Sequence, residues 1–203
     1  LTSLTRCIKR IILVKVKMTS GSAVDKVKSY TGVSISGLIG VCLILSSCGD
    51  YRTSEKCSDT IKAGDKGSFV TDPSGLARDT NTGTVWYRCP GGKTFSNFRC
   101  KGETLFVSWD DATAYAVEFS KKSGVKWRLP TNSEMKSIVE SSCIAPVINE
   151  NVFPATEVTN HWTSSDGWHQ KAFKCALNTY NGSLSCRQAR IIEQPFLLVQ
   201  DRG

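Results

Sequence analysis

The sequence predicts an α+β domain in which two helices pack on short antiparallel β-sheets and disulfide bonds staple the loops. Two helix starts support the helices, because Ser108 and Thr131 each precede apolar residues at helical spacing. Short β-rich segments joined by glycine-containing turns support the sheets. Six of the nine cysteines follow Cys48, and an even set in an exported domain is typical of a disulfide framework.

Composition limits the size of the fold and the class of partner. The 203 residues, 40% of them hydrophobic, are enough for one globular domain with an apolar core. The net charge of +8 is concentrated before Cys48, where many basic residues accompany the single acid Asp25. The remainder is nearly balanced and has no interleaved basic and aromatic patch, so we expect no nucleic-acid partner.

The N-terminal part has the pattern of a bacterial export signal. Residues 33–45 are a continuous apolar run, short for a membrane span and about right for a signal-peptide core, and Lys26 and Lys28 precede it. Residues 1–47 are therefore predicted to be a signal peptide, with Met18 as an alternative start.

The run Leu45-Ser46-Ser47-Cys48 resembles a bacterial lipobox. This resemblance implies that Cys48 carries a diacylglycerol, becomes the first mature residue, and is acylated, for example with palmitate. Several acyl chains make a stable anchor, so the lipid bilayer would be its partner. The alternative is an ordinary signal-anchor helix with an incidental cysteine. Polar residues 48–67 would then be a lipidated tether for a domain of residues 68–203.

The domain opens with a predicted β-hairpin. Turn signals at 72–75 and 81–83 flank two β-rich segments, 76–79 and 84–87. Residues 89–100 follow as a short glycine-rich loop between two cysteines.

The first helix is predicted over residues 108–124. Ser108 is a good N-cap, Asp110 and Asp111 suit the positive end of the helix dipole, and Gly124 suits the C-terminal end. Paired acids also occur in metal and acid/base sites. Because acids in a first turn are usually only partners of the dipole, we predict no catalytic residue here.

The second helix begins where an extended stretch stops sharply. Pro130 keeps Leu129 extended, and Thr131 with Glu134 matches the capping-box pattern. Trp127 and Leu129 alternate along the incoming strand and should share one face. Further strands are predicted at the segments 161–165, 172–177, 183–191 and 196–200, with Asn181-Gly182 as a hairpin turn.

Four motifs resemble one family. They are W-R-L-P-T-x-x-E at 127–134, D-x-x-T-G-x-x-W at 79–86, C-x-x-P-x-I-N with V-F-P at 143–154, and W-[ST]-S-[ST] at 162–165. Together they resemble the C-terminal domain family of the Legionella collagen-like protein and, more distantly, formylglycine-generating-enzyme-type domains.

The resemblance covers residues 69–199 and implies a C-type-lectin-like fold. In that fold the closing strand returns beside the first. The segment 187–195 departs from the family by being longer and less regular.

Cysteine positions suggest three bridges. Cys89 and Cys100 bracket one loop, and Cys175 and Cys186 lie nearly symmetrically about the predicted hairpin turn. Cys57 and Cys143 are then left for each other. A metal site would require C-x-x-C spacing with a nearby histidine, which the sequence lacks, so we expect no metal.

Ligand contact, if any, is expected in the irregular region 149–170, with 187–195 beside it. The candidate residues there combine an indole with polar groups that a sugar or peptide could use: Trp168, Asp166, His161 and His169. Trp162 matches a family strand position and is expected in the core. The alternative interpretation, which the sequence favours, is that both histidines are surface or packing residues rather than ligands.

The sequence supports a non-enzymatic, membrane-anchored envelope lipoprotein that binds a glycan, polysaccharide or protein, as in adhesion. A calcium-type sugar site is not expected, because Phe196 stands where the 193–196 run would need a ligand oxygen. No cofactor is expected. The alternative is a structural accessory lipoprotein that scaffolds an envelope assembly, and more distantly a degenerate formylglycine-generating-enzyme-like protein. We expect the outer rather than the inner membrane, with the domain in the periplasm or at the surface.

Overall fold

The structure, a computed structural model, describes residues 54–169 and 171–201. These residues all belong to one compact unit. The predicted signal peptide and Cys48 therefore lie outside the described residues. Within those two described ranges, no helix combines the length and apolarity needed to cross a bilayer.

The described part is an α+β domain with three short helices and several antiparallel sheets. Its helices are α1 (Cys57–Thr60), α2 (Trp109–Ser123) and α3 (Asn132–Ser137). Its strands are β1 (Phe69–Thr71), β2 (Leu76–Asp79), β3 (Val85–Tyr87), β4 (Thr94–Ser96), β5 (Arg99–Lys101), β6 (Trp127–Arg128), β7 (Asn160–Asp166), β8 (Phe173–Asn178), β9 (Leu184–Ala189) and β10 (Leu198–Gln200). The predicted α+β class is confirmed, with the single-turn α1 as an addition.

The largest sheet has five strands in the order β1-β2-β3-β10-β6. The C-terminal strand β10 is an interior strand between β3 and β6, because Val199 pairs with Trp86 of β3 on one side and with Arg128 of β6 on the other. The closing strand thus joins the sheet of the first hairpin but does not lie beside β1. The reason is that β1 pairs with β2, and the other side of β3 accepts β10.

Two smaller sheets complete the strands. The first, β7-β8-β9, contains the hairpin predicted across Asn181-Gly182. The second is a hairpin of β4 and β5, where the sequence predicted only a glycine-rich loop. Its turn residues Asn97 and Phe98 both have positive φ, 52° and 60°, as a two-residue type I′ turn requires.

Both predicted helices form where their caps indicate. In α2, the Ser108 Oγ accepts a hydrogen bond from the Asp111 N–H at 3.2 Å, and Gly124 adopts a left-handed φ of 71°. Ala112 and Ala116 are buried along its inner face. Residues at this spacing lie on one side of a helix, so the apolar stripe packs against the core.

The start of α3 is the predicted capping box. Thr131 Oγ1 accepts from the Glu134 N–H at 3.2 Å, and the Glu134 carboxylate accepts from the Thr131 N–H at 2.7 Å. Arg128 adds a fork to both Glu134 oxygens at 2.8 Å. Burial raises the pKa of Glu134, but hydrogen bonds from Arg128 and Thr131 outweigh it and hold that pKa below its usual value.

The apolar core consists of two clusters of buried residues. One includes Trp86, Phe153 and Leu177, and the other includes Trp162 and Phe196. Trp127 of β6 and Leu129, just after that strand, are also buried in the second cluster, as expected from their alternation along the extended stretch.

Three disulfides cross-link the domain. They join Cys57 with Cys143, Cys89 with Cys100, and Cys175 with Cys186. These are the pairs predicted from the sequence.

The predicted boundary between tether and domain at residue 68 is wrong, since the chain packs on the domain well before it. The Cys57 N–H donates to Ile144 O at 2.9 Å, and Cys57 is buried. The side chain of Asn149 donates to Asp65 O, and that of Asn151 donates to the same oxygen, each at 3.0 Å. This polar segment is therefore held to the domain by hydrogen bonds that involve its backbone rather than by burial of apolar side chains. For that reason the composition of the segment suggested a tether.

Candidate ligand-binding surface

The turn between β7 and β8 is pinned against the neighbouring strand β9. The Gly167 N–H donates to Phe173 O at 3.2 Å, and the Trp168 N–H donates to Cys186 O at 3.0 Å. A Cβ on Gly167 would lie 2.4 Å from Cys186 O, closer than any real side chain approaches. Only glycine allows this close approach, which fixes the position of Trp168.

Trp168 is an exposed aromatic residue, and two polar side chains lie beside its indole ring. It is 61% exposed, whereas Trp86, Trp127 and Trp162 are buried. The His169 ring lies 4.4 Å from the indole by ring centroids, and the Arg187 guanidinium lies 5.4 Å from the indole centroid. We define the Trp168 surface as Asp166, Trp168, His169 and Arg187. Indole faces of this kind stack on the apolar faces of sugars and attract cations.

Asp166 is exposed, and its charge is engaged by a neighbour. Its carboxylate pairs with the ammonium of Lys174, which is itself buried. The Lys174 Nζ also lies 4.1 Å from the centroid of the Trp109 ring. The remaining exposed half of the Asp166 side chain can still accept hydrogen bonds from a ligand.

A second group of charges lies next to Trp109. The Arg190 guanidinium is 5.1 Å from the Trp109 ring and pairs with Asp110. One of its nitrogens donates to Lys171 O at 3.4 Å, which ties the segment 187–195 to the β7–β8 turn. The sequence predicted that the segment 187–195 lies beside the region that contains this turn, and the structure places them side by side.

Asp110 and Asp111 have structural partners at the start of α2. Asp110 pairs with Arg190, and Asp111 Oδ2 accepts from the Ser108 hydroxyl at 2.6 Å. Sequence reasoning did not identify the Trp109, Lys174 and Arg190 contacts. The only local signal was the clustering of charges near β7 and α2, because the contacts arise between segments far apart in the chain.

His161 does not belong to the surface, contrary to one of the sequence expectations. It is fully buried on β7 opposite Leu177 of β8. The carbonyl of Thr159 can only accept, so His161 Nδ1 donates to it, at 3.1 Å. Nε2 has no hydrogen-bond partner. Burial lowers the pKa of His161 to about 4, so it is neutral near neutral pH.

Because of His161, we expect stability to fall as the pH drops from about 6.5 to about 4. An unfolded histidine titrates near 6.5, so in this window the unfolded chain binds more protons than the folded one. The difference of about 2.5 pKa units amounts to about 3 kcal/mol. Urea unfolding at pH 7 and pH 4.5 should show this loss in the wild type.

The His161→Leu variant should show a much flatter dependence, and His169→Gln, which changes the exposed histidine, should behave like the wild type. The pKa values of Glu134 and Asp72 are also lowered, so their protonation at low pH also reduces the free energy of unfolding. This contribution is the same in all three proteins and cancels in the comparison. A His161→Leu variant with the full wild-type dependence would show that another group is responsible.

Several other residues of the expected region have structural roles. Asn149 is buried and holds the N-terminal segment. Trp162 lies in the core as predicted, and its indole N–H donates to Val107 O at 2.9 Å. Phe196 is also buried in the core, so the run 193–196 directs an apolar ring inward. Within residues 54–169 and 171–201, no group of three or more His, Cys, Asp or Glu side chains could hold a metal ion.

Comparison with known families gives one result. A family model described as the Lcl C-terminal domain matches residues 75–199, most of the described part of the chain. No curated protein and no solved structure matches the chain. The match contains the strand–turn–helix motif at 127–134, the two short disulfide loops and the Trp168 surface. The chain therefore belongs to the Lcl C-terminal domain family.

Proposed function

We propose that this protein is a non-enzymatic, membrane-anchored binding module of the bacterial cell envelope. Its ligand would be a glycan, a polysaccharide or a protein, bound through the Trp168 surface in an adhesion-type role. The observation that carries the proposal is the exposed indole of Trp168, fixed by the backbone bonds of its turn and placed beside Arg187 and His169. An immobilised aromatic residue loses little conformational entropy on binding.

We further propose that the domain has a C-type-lectin-like fold. The return of β10 into the sheet of the first hairpin supports this, as do the two helices α2 and α3 and the family motifs. In such a fold, irregular loops carry recognition while helices and sheets hold the frame. The turn with Trp168 and the segment 190–195, which follows β9, correspond to such loops.

The absence of enzymatic activity is also part of the proposal. All six cysteines within the described ranges are paired in disulfides, so none of these six is a free thiol of the kind that a formylglycine-generating reaction needs.

Lipidation of Cys48 is the proposed anchor, with the outer membrane as the expected location. Cys48→Ala should release the domain from membranes or leave an unprocessed precursor, because diacylglycerol attachment requires the thiol. Fractionation together with mass spectrometry of the mature N-terminus measures this. An unmodified Cys48, or a mature N-terminus elsewhere, would contradict the anchor.

The proposed binding is tested by retention of the full chain on immobilised envelope polysaccharide. Trp168→Ala should lose most retention, since it removes the aromatic face. Tyr180→Ala is the matched control, because Tyr180 is also an exposed aromatic residue, 49% exposed, but lies at the hairpin tip. Equal loss in both variants would argue against the Trp168 surface.

The scaffold alternative is favoured by a separate apolar patch. Phe106, Ile191 and Ile192 are exposed, Ile191 to 84%. Their segments are neighbours, because Val107 and Gln194 exchange backbone hydrogen bonds of 3.3 and 3.0 Å. If no polysaccharide or glycan binds, and Ile191→Ser releases a co-purifying envelope protein while Trp168→Ala does not, the scaffold role is the better description.

A further inference from the structure

The chain joins the domain at one end of the three-stranded sheet β7-β8-β9. The Cys57 N–H donates to Ile144 O at 2.9 Å, and the Cys57–Cys143 disulfide fixes the same place. The Ala145 N–H in turn donates to Tyr180 O at 2.9 Å, at the tip of the β8–β9 hairpin. The attachment point is therefore clamped to the hairpin tip.

The Trp168 surface lies at the other end of this sheet. The turn that carries Trp168 precedes β8, and the hairpin tip that carries Tyr180 follows it. The six residues of β8 extend over about 20 Å at roughly 3.3 Å per residue. The attachment point and the Trp168 surface are thus held apart by about the length of a strand.

Fixing residues 55–57 to the domain also limits the distance between this attachment point and a lipid anchor. With Cys48 lipidated, as proposed above, the seven residues 48–54 precede the clamped Glu55. A fully extended chain of that length reaches at most about 25 Å. A free tether up to residue 68 would reach about 70 Å, so the clamp removes most of that freedom.

We infer that the domain presents the Trp168 surface away from the membrane that carries it, toward a polysaccharide that lies beyond the domain. The hairpin tip stays within about 25 Å of the lipid, whereas Trp168 is set a further strand length from the clamp. In this orientation, a ligand in the headgroups of the same bilayer would lie at the end of the sheet opposite Trp168. This inference rests on the proposed anchor and on the proposed binding surface.

Energy transfer from the domain to the membrane tests this orientation. The full chain, in isolated membranes, receives a donor dye through an unnatural amino acid at position Tyr180 or at position Lys171, both exposed and both outside the Trp168 surface. An acceptor dye is carried on lipid. We expect the acceptor to cause a large loss of donor emission at position 180 and a smaller loss at position 171. After detergent extraction, the acceptor should cause no loss of donor emission at either position.

Equal losses at the two positions, or a larger loss at position 171, would overturn the inference. Loss at neither position would also overturn it, because the clamp would then lie far from the lipid. Polysaccharide retention by wild type and Trp168→Ala is measured on the same preparations. If retention is unaffected by Trp168→Ala while the 180-versus-171 difference persists, the binding surface has been misassigned but the orientation stands.

Discussion

Trp162→Ala should destabilise the domain by about 3–5 kcal/mol, as truncation of a large core side chain does. Trp162 has no exposed surface and packs in the cluster that contains Phe196. Truncation leaves a cavity and also removes the indole N–H bond to Val107 O at 2.9 Å. Urea unfolding monitored by circular dichroism measures the loss.

Trp168→Ala is the matched control for this truncation. The same change of side chain, made six residues away on the exposed turn, should alter the free energy of unfolding by less than about 0.5 kcal/mol. If Trp168→Ala destabilised the domain as much as Trp162→Ala, its indole would be part of the frame, and the binding site would have to lie elsewhere.

Replacing Cys57 and Cys143 together by serine should cost about 4–5 kcal/mol. This bridge closes a loop with a sequence separation of 86 residues, and the entropy that a cross-link removes from the unfolded chain grows with loop length. The same variant also frees the segment 55–67, whose contacts with Asn149 and Asn151 are few and polar. Denaturant unfolding of the oxidised proteins gives the difference.

A short bridge provides the comparison. The Cys89–Cys100 disulfide closes a loop with a separation of only 11 residues, so its removal should cost about 3 kcal/mol by the same relation. Equal losses for the two double variants would show that strain or residual structure, rather than loop length, determines what each bridge contributes.

The features that the sequence predicted correctly are local in the chain. The capping box at Thr131 and Glu134 requires residues three apart, and the turn signal Asn181-Gly182 is one dipeptide within the β8–β9 connection. Their chemistry is complete within a few residues, so a pattern is enough to predict them. The cap of α2 at Ser108 and the two short disulfide loops belong to the same class.

The features that the sequence missed depend on contacts between distant segments. The docking of residues 55–67 relies on Asn149 and Asn151, more than eighty residues away along the chain. His161 is buried because both faces of β7 are covered around Trp162, so that His161, Trp162 and Thr163 are all buried. That coverage comes from segments elsewhere in the chain, which the neighbours of His161 in sequence do not specify.

The candidate surface shows the same division. Trp168 and His169 were identified because they combine an indole with a polar ring inside the region expected to be irregular. The cation over Trp168 comes from Arg187, and the partner of Asp166 comes from Lys174 on the next strand. Such pairs depend on the register of β7, β8 and β9, and the bulges between these strands cannot be read from the periodicity of the sequence.

The most direct test of the Trp168 surface is a chemical footprint of the full chain with and without bound envelope polysaccharide. Brief oxidation of tryptophan and tyrosine, followed by mass spectrometry, reports the accessibility of Trp168 and of Tyr180 at the opposite end of the sheet. We expect bound polysaccharide to suppress oxidation of Trp168 severalfold and to leave Tyr180 unchanged. Oxidation of Trp168 at the same rate in the presence of polysaccharide that has bound would contradict the proposed site.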